Sequence, residues 1–390
     1  MKRSRRTVLS SVLAGVSVGI AGCTGGDVVG RVGEGTPEPS ADDSAVTPDS
    51  TDDAERGADG DGPPIAAEPL TLAYDVETLL DRSLSGGVGQ DGIPSIDEPQ
   101  FRPIDEAGIG DGEPVFGVVR NGEAKAYPQY VLVWHEIVND TIAGEPVAVT
   151  YCPLTGTAQG FERGGTEFGV SGQLVNSNLI MYDRTTGSWW PQMVATAISG
   201  PLTGDPLREF RVVWTTLGEW RSAYPDSKLL TEETGHARRY GNDPYGEYDP
   251  LAEYYASEST LFSPLAPIDD GYRKSVVLGA RTDAGAIAFD KATLLSERVL
   301  PGSVAVGDRT VDVVAVADPA LSTGYVYRNP QGLLVEPDGR GYRVDGSGPI
   351  DADDLPLDRL LAFDAMWFAW AGFYPDTEFV GEHTEAGYGR

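Results

Sequence analysis

The sequence predicts a β-rich α+β fold: two related lobes containing β-hairpins, with a few short helices. Three observations predict it. From Leu70 onward most apolar residues alternate with a period of two, as in half-buried strands. Turn signals such as Asn121-Gly122 separate these runs. Finally, "EPVFGVVRNGEAKAYP" (113–128) matches "SVVLGARTDAGAIAFD" (275–290), with Gly117 on Gly279, Ala126 on Ala288 and Tyr127 on Phe289. Further on, "VAVTYCPLTGTAQGFER" (147–163) parallels "DVVAVADPALSTGYVYR" (312–328), which sets Pro153 on Pro319 and Cys152 on Asp318. Two copies suggest a duplicated lobe rather than a solenoid. The expected division is 69–265 for the first lobe and 266–390 for a degenerate second lobe with a C-terminal helix.

The ends of the chain carry a different signal. "MKRSRRTVLSSVLAGVSVGIAGCTGG" sets Arg5-Arg6 before a small, apolar run too short to span a membrane comfortably. It reads as a twin-arginine signal peptide over 1–22. Ile20-Ala21-Gly22-Cys23 resembles a lipobox, so Cys23 is expected to carry a lipid and make the membrane a partner on the outer face of the cell. Residues 23–68 are rich in Gly, Pro, Ser, Thr, Asp and Glu and hold no aromatic residue, the composition of a disordered, self-repelling tether.

The net charge is −31, and Lys2, Lys125, Lys228, Lys274 and Lys291 are the only lysines. An acidic, lysine-poor surface resembles that of salt-loving archaea, whose molar salt screens self-repulsion to within about 3 Å. With no basic stripe to neutralise phosphates, nucleic acid is not an expected partner.

Helices are few. "PQYVLVWHEIVNDTIAG" predicts one that starts at Pro128 and closes over Asn139 to Gly144. Thr216 with Glu219 forms a capping box before a helix that stops at Pro225. "FDAMWFAWAGFYPDT" predicts an apolar helix ending near Pro375. "GTAQGFERGGTEFGVSGQL" and "NLIMYDRTTGSWWPQM" each read as a hairpin.

The candidate chemistry centres on Cys152, which lacks an intramolecular partner once Cys23 is lipidated. Cys152-Pro153-Leu154-Thr155 looks like a redox C-x-x-C with Thr155 in the second place. A strand and turn follow it, so a thioredoxin fold is not expected and no helix dipole lowers the thiol pKa. The other route to a thiolate is a base. A helix through His135 would set Asn139 one turn away on the same face, which suggests a Cys152–His135–Asn139 arrangement with Thr155 as a donor to the sulfur. A hydrogen-bonded structural histidine is the plainer reading of His135. His236 lies in a polar loop, and His383 has little to recommend it. A Cys152–His135–His236 metal set has no supporting local spacing, so none is assigned. No phosphate loop, dinucleotide fingerprint or G-x-S-x-G elbow is present, and the cofactor is unknown.

A ligand site is the alternative. Ser171, Asn176, Asn178, Asp183, Arg184, Trp189 and Trp190 interleave polar groups with aromatic rings, and Asp243 and Tyr245 sit in a turn-rich loop. All serve equally well as turn and core residues. Three readings stand together: a thiol enzyme at Cys152 using an external thiol reductant, a tethered module for a small-molecule ligand, and a structural surface protein with an inert Cys152.

"AYPQYVLVWHEIVNDTIAGEPVAVTYCPLTGTAQGFER", "FGVSGQLVNSNLIMYDRTTGSWWPQM", "FRVVWTTLGEWRSAYPDSKLL", "YGNDPYGEYD" and "MWFAWAGFYPDT" resemble the DUF3179 family, exported or membrane-associated proteins of bacteria and archaea without an assigned function. The resemblance runs from about residue 70 to 380 and implies no established activity or cofactor. It implies a C-P-x-C motif at Cys152, from which Thr155 departs, and so leaves redox chemistry open.

Overall fold

The structure, a computed structural model, describes residues 62–248, 250–268, 271–306 and 309–383. The expected signal peptide, Cys23 and the tether up to residue 61 lie outside the described residues. A short helix α1 (Val76–Asp81) and strands β1 (Leu84–Ser85) and β2 (Phe101–Pro103) lead into the first lobe. There β3 (Pro114–Arg120) and β4 (Glu123–Pro128) form the expected hairpin. Asn121 and Gly122 take φ of 47° and 82° at its turn, whose twist suits the flanking strands. After α2 (Gln129–Leu132), strands β5 (Ile137–Ile142), β6 (Glu145–Cys152) and β7 (Thr157–Glu162) run as a meander. An insertion of β8 (Phe168–Val175), β9 (Asn178–Asp183) and β10 (Trp189–Pro191) follows. The lobe closes with β11 (Glu209–Phe210), β12 (Val213–Thr216), α3 (Leu217–Ala223) and β13 (Lys228–Leu230).

A connecting segment carrying α4 (Glu253–Ala256) leads to a second lobe on the same plan. Its hairpin is β14 (Val276–Thr282) and β15 (Gly285–Asp290), followed by α5 (Lys291–Glu297). Its meander is β16 (Val299–Val306), β17 (Arg309–Asp318) and β18 (Thr323–Arg328). Its insertion is β19 (Val335–Asp338) and β20 (Gly341–Val344). It ends with β21 (Arg359–Leu360), β22 (Ala362–Met366), α6 (Trp367–Phe373) and β23 (Glu378–Val380).

The repetition extends to register. Val213 pairs with Gly117 as Phe363 pairs with Gly279. Leu229 runs parallel to Ala126 as Phe379 does to Ala288. Cys152 faces Thr157 as Asp318 faces Thr323. Sheets β12-β3-β4-β13-β2 and β11-β7-β6-β5 therefore correspond to β22-β14-β15-β23 and β21-β18-β17-β16. In each lobe a tryptophan lies flat on a strand glycine. A Cβ on Gly117 would stand 2.0 Å from the Trp220 ring, and one on Gly279 2.3 Å from the Trp370 ring. Only glycine lets the helix come that close.

The described residues form one compact unit in which the lobes interlock. The Met366 N–H donates to the Thr155 carbonyl, and the buried Arg281 is paired with Glu209. Arg211 donates to the carbonyls of Ala362 and Gly324 and to the Thr323 hydroxyl. One apolar core, from Phe116 and Tyr151 to Trp367 and Phe373, spans both lobes.

Several elements depart from the sequence reading. The helix expected over 128–144 stops at Leu132, and Ile137–Ile142 is a strand because its β-branched run favours extended backbone. Glu136 makes the change of direction at φ 58°. Phe363 to Met366 belong to β22, and the helix begins only at Trp367. Strands β7 and β8 are adjacent in sequence but lie in different sheets, so they form no hairpin. The β9–β10 hairpin and the Thr216–Glu219 capping box are as expected. The last stretch of the expected tether is docked, with Ile65 bridging to Leu207 and the Ala66 N–H donating to Pro206. No helix among the described residues is long and apolar enough to cross a membrane.

Candidate functional site

Cys152 ends β6 at the tip of a hairpin and is 1% exposed. Its Sγ donates to the Ser177 carbonyl at 3.6 Å. Burial, with the neighbouring charge of Glu136, pushes the thiol up to about 11. The Thr155 hydroxyl and the backbone N–H groups of Leu179 and Thr155 pull the other way. Burial wins, because taking the charged thiolate out of water costs more than these donors return. The resting sulfur is therefore a protonated thiol.

The expected dyad is not formed. The His135 Nδ1–H donates to the Pro94 carbonyl at 2.7 Å, which leaves Nε2 to accept from the Tyr240 hydroxyl at 2.7 Å. Both ring nitrogens are thus committed away from Cys152. Burial brings His135 down to about 4, so it stays neutral. Asn139 lies on β5 rather than on a helix. Its amide donates to the Phe168 carbonyl and to Asp97, and its carbonyl oxygen accepts the Phe168 N–H. Thr155 does stand beside the sulfur, and its Oγ1 accepts from Asn178 at 3.1 Å.

The group that does neighbour Cys152 is Glu136, which the sequence reading passed over. Its residue is 6% exposed. Burial raises it to about 8. A lone acid inside the apolar run "VLVWHEIV" was the signal available in sequence. Tyr245 and Tyr254 complete the corner, each held protonated by burial and, after that, by the nearby charges of Glu136 and Cys152 for Tyr245 and of Cys152 for Tyr254. The Tyr254 hydroxyl donates to the Leu154 carbonyl at 2.7 Å, fastening the 245–256 stretch over the Cys152 turn.

On another face of that stretch lies a cavity of about 970 Å³. Residues 109–110 and 112–114, Gln129, Tyr130, Glu232 and segments 240–244, 246–248 and 252–253 line it. Its carboxylates are Glu113, Glu232, Asp243, Glu247 and Glu253, and its rings are Tyr130, Tyr240 and Tyr248; among the described residues no Lys, Arg or His lines it. Asp243 anchors one wall. It accepts from Gln129 at 2.8 Å, from the Tyr255 hydroxyl at 3.0 Å and from the Tyr245 N–H at 2.7 Å. Burial nevertheless leaves Asp243 and Glu113 above the usual carboxylate range. Tyr248 stacks on Tyr255 with ring centres 3.9 Å apart, and its hydroxyl is bonded to that of Tyr151.

Of the expected ligand residues, only Asp243 lines this cavity, and Tyr245 joins the Cys152 corner. The others are committed to structure. Ser171 bonds the Ile180 carbonyl, and Asn176, at φ 55°, ties Leu265 to the Ala369 carbonyl on α6. Asn178 links Thr155, Gln192 and the Met193 N–H. Asp183 accepts from Thr186 and from the indole of the buried Trp190. Trp189 pairs with Tyr182 in the β9–β10 hairpin. Arg184 spans Asp97 and Glu167. The aromatic–polar alternation in this region serves a folded insertion. Among the described residues no group of three or more His, Cys, Asp or Glu side chains is gathered as metal ligands would be. His236 packs against His135, and His383 stacks on Phe379.

The fold is thus a duplicated β-rich α+β scaffold with an acidic, tyrosine-walled cavity on its first lobe. The chain belongs to the DUF3179 family, described as a protein of unknown function, whose pattern matches residues 90–377. No curated protein matches the chain, and no solved structure does.

Proposed function

We propose that this protein is an exported lipoprotein, held on the outer face of the membrane by a lipid on Cys23, whose first lobe binds a small organic cation. The cavity carries this reading: five carboxylates and three tyrosine rings line about 970 Å³, with no cationic side chain among the described residues. Carboxylates attract an ammonium group, and tyrosine faces add cation–π attraction that persists where salt screens bare charge. Anions find no partner there. The paired Arg5-Arg6, the lipobox-like sequence before Cys23 and the acidic tether support the surface location. The acidic, lysine-poor composition supports a salt-rich setting. Cys152, protonated and covered at rest, is no part of this binding role.

Thermal unfolding of the full chain in molar NaCl tests the reading. A polyamine and a quaternary ammonium compound are expected to raise Tm by a few degrees at concentrations far above Kd, since ligand at about 100 times Kd stabilises by about 2.7 kcal/mol. A dicarboxylate should do nothing. Lowering the pH should weaken the effect, because burial raises the Glu113 and Asp243 carboxyls, which then take up protons before an ordinary carboxylate does. A flat Tm with every cation would leave the protein as a structural surface component.

A further inference from the structure

Of the four described lysines, Lys125, Lys228 and Lys291 each pair with a carboxylate. Lys274, just before β14 at the start of the second lobe, uses its ammonium differently. The residue is 2% exposed. Its Nζ stands over the Tyr254 ring, 3.3 Å from the ring centre, and donates to the carbonyl of the same residue. Burial brings the amine down to about 8, with the charge of Glu258 acting in the opposite sense, so at pH 7 it remains a cation. Burying an ammonium costs more than burying an apolar side chain of the same length. The result of that burial is a fixed Tyr254.

Tyr254 sits between two α4 residues that shape the cavity. Its own hydroxyl donates to the Leu154 carbonyl at 2.7 Å, and its N–H to the Tyr245 carbonyl at 2.9 Å. Glu253, before it, lines the cavity and holds φ at 52°, a backbone state that a non-glycine residue keeps only where its surroundings fix it. Tyr255, after it, donates to the cavity carboxylate Asp243 and stacks on Tyr248. We propose that Lys274 is a positioning residue for the cation site. By holding Tyr254 from the second lobe, it sets Glu253 and Tyr255, and through Tyr255 also Asp243 and Tyr248, in the arrangement that takes up the ligand. That role presupposes the cation binding proposed above, and Lys274 acts through Tyr254 because it does not itself line the cavity. Charge alone works the other way. A nearby ammonium repels a cationic ligand, so its removal would by Coulomb's law tighten binding. Affinity lost on removing Lys274 is therefore a sign of positioning that charge cannot imitate.

The test titrates spermidine into the full chain, Lys274→Met and Lys274→Arg in molar NaCl at pH 7, and follows amide hydrogen exchange in the unliganded proteins. Lys274→Met should weaken binding about tenfold. It should also speed exchange at the Tyr254 amide and at the Ser257 amide, which donates to the Tyr254 carbonyl. Lys274→Arg keeps a cation and a donor over the ring and should restore both. Equal or tighter binding by Lys274→Met, beside a parent that binds, overturns the positioning role and leaves the cation site standing. A lower Tm with unchanged affinity does the same. Should Lys274→Met not fold, the parent decides. Coupling is reciprocal, so bound spermidine should slow exchange at the same two amides, and unchanged exchange there overturns the role. No uptake by the parent removes the cation site and the role of Lys274 with it.

Discussion

The two lobes share strand order, register and the tryptophan seated on glycine, yet they treat the same interior positions differently. Where the first lobe has Gln129 at the start of α2, the second has Lys291 at the start of α5. Lys291 is buried against Asp364, which replaces Trp214, at 2.6 Å. Gln129 instead reaches out to Asp243 and Tyr255, and its surroundings open into the cavity. The second lobe is thus closed by its own ion pair and the first is left open to solvent. A duplicated scaffold separates what folding needs, which recurs, from what differs, which is where function is to be sought.

Breaking the closed lobe should give the largest effect. Lys291→Met leaves Asp364 buried without its cation, a loss of about 3–5 kcal/mol for a buried pair. Gln129→Met removes only neutral and charge-assisted hydrogen bonds and should cost about 1–2 kcal/mol. Denaturant unfolding of both variants in molar salt reads the difference. Equal losses would mean that the first lobe is as closed as the second.

The next contrast is one of pH. The Glu136 carboxyl is raised from 4.5 to about 8 in the folded chain. Between those values the folded state holds a proton that the unfolded state has released, so stability falls as pH rises through that window. At about 1.4 kcal/mol per pKa unit the loss is a few kcal/mol. Glu136→Gln should flatten this slope and be the more stable protein at pH 8.5, whereas Arg298→Gln, its counterpart, should leave the slope intact. Unfolding curves collected from pH 4.5 to 8.5 check both.

A further pair of substitutions tests the likeness of the lobes. Gly117→Ala and Gly279→Ala each drive a methyl into a tryptophan ring, and overpacking of this kind costs about 1–3 kcal/mol. Similar losses in the two variants would confirm an equivalent role for the two tryptophans. A loss in one alone would show that the likeness is topological and not energetic.

Much of this duplication was legible in sequence, because strand hairpins announce themselves through alternation and turn residues. Gly117 on Gly279 and Cys152 on Asp318 are true structural equivalents. A third pair of matching blocks went unread: Trp220 to Tyr224 with Pro225-Asp226, and Trp370 to Tyr374 with Pro375-Asp376. Both tyrosines cap their helices at nearly the same backbone angles. The site was less legible. His135 looked like a base because helix spacing was assumed, and the β-branched residues after it pull the chain into a strand. Glu136 and Tyr254 carry no motif. Their meaning arises only when a segment about a hundred residues further on folds over Cys152, and local spacing holds no trace of such a contact. The Ser171–Trp190 cluster misled for the opposite reason, since polar side chains that hold a folded insertion resemble those that line a pocket.

The most direct measurement is a calorimetric titration of spermidine into the full chain, Asp243→Asn and Asp318→Asn, all in molar NaCl at pH 7.5. Asp243 lines the cavity, whereas Asp318, the counterpart of Cys152 in the closed lobe, does not. Saturable one-site binding is expected, weakened about tenfold by Asp243→Asn, which corresponds to about 1.4 kcal/mol, and unchanged by Asp318→Asn. No binding to the parent chain, or equal affinity in all three proteins, would contradict a cation site on the first lobe.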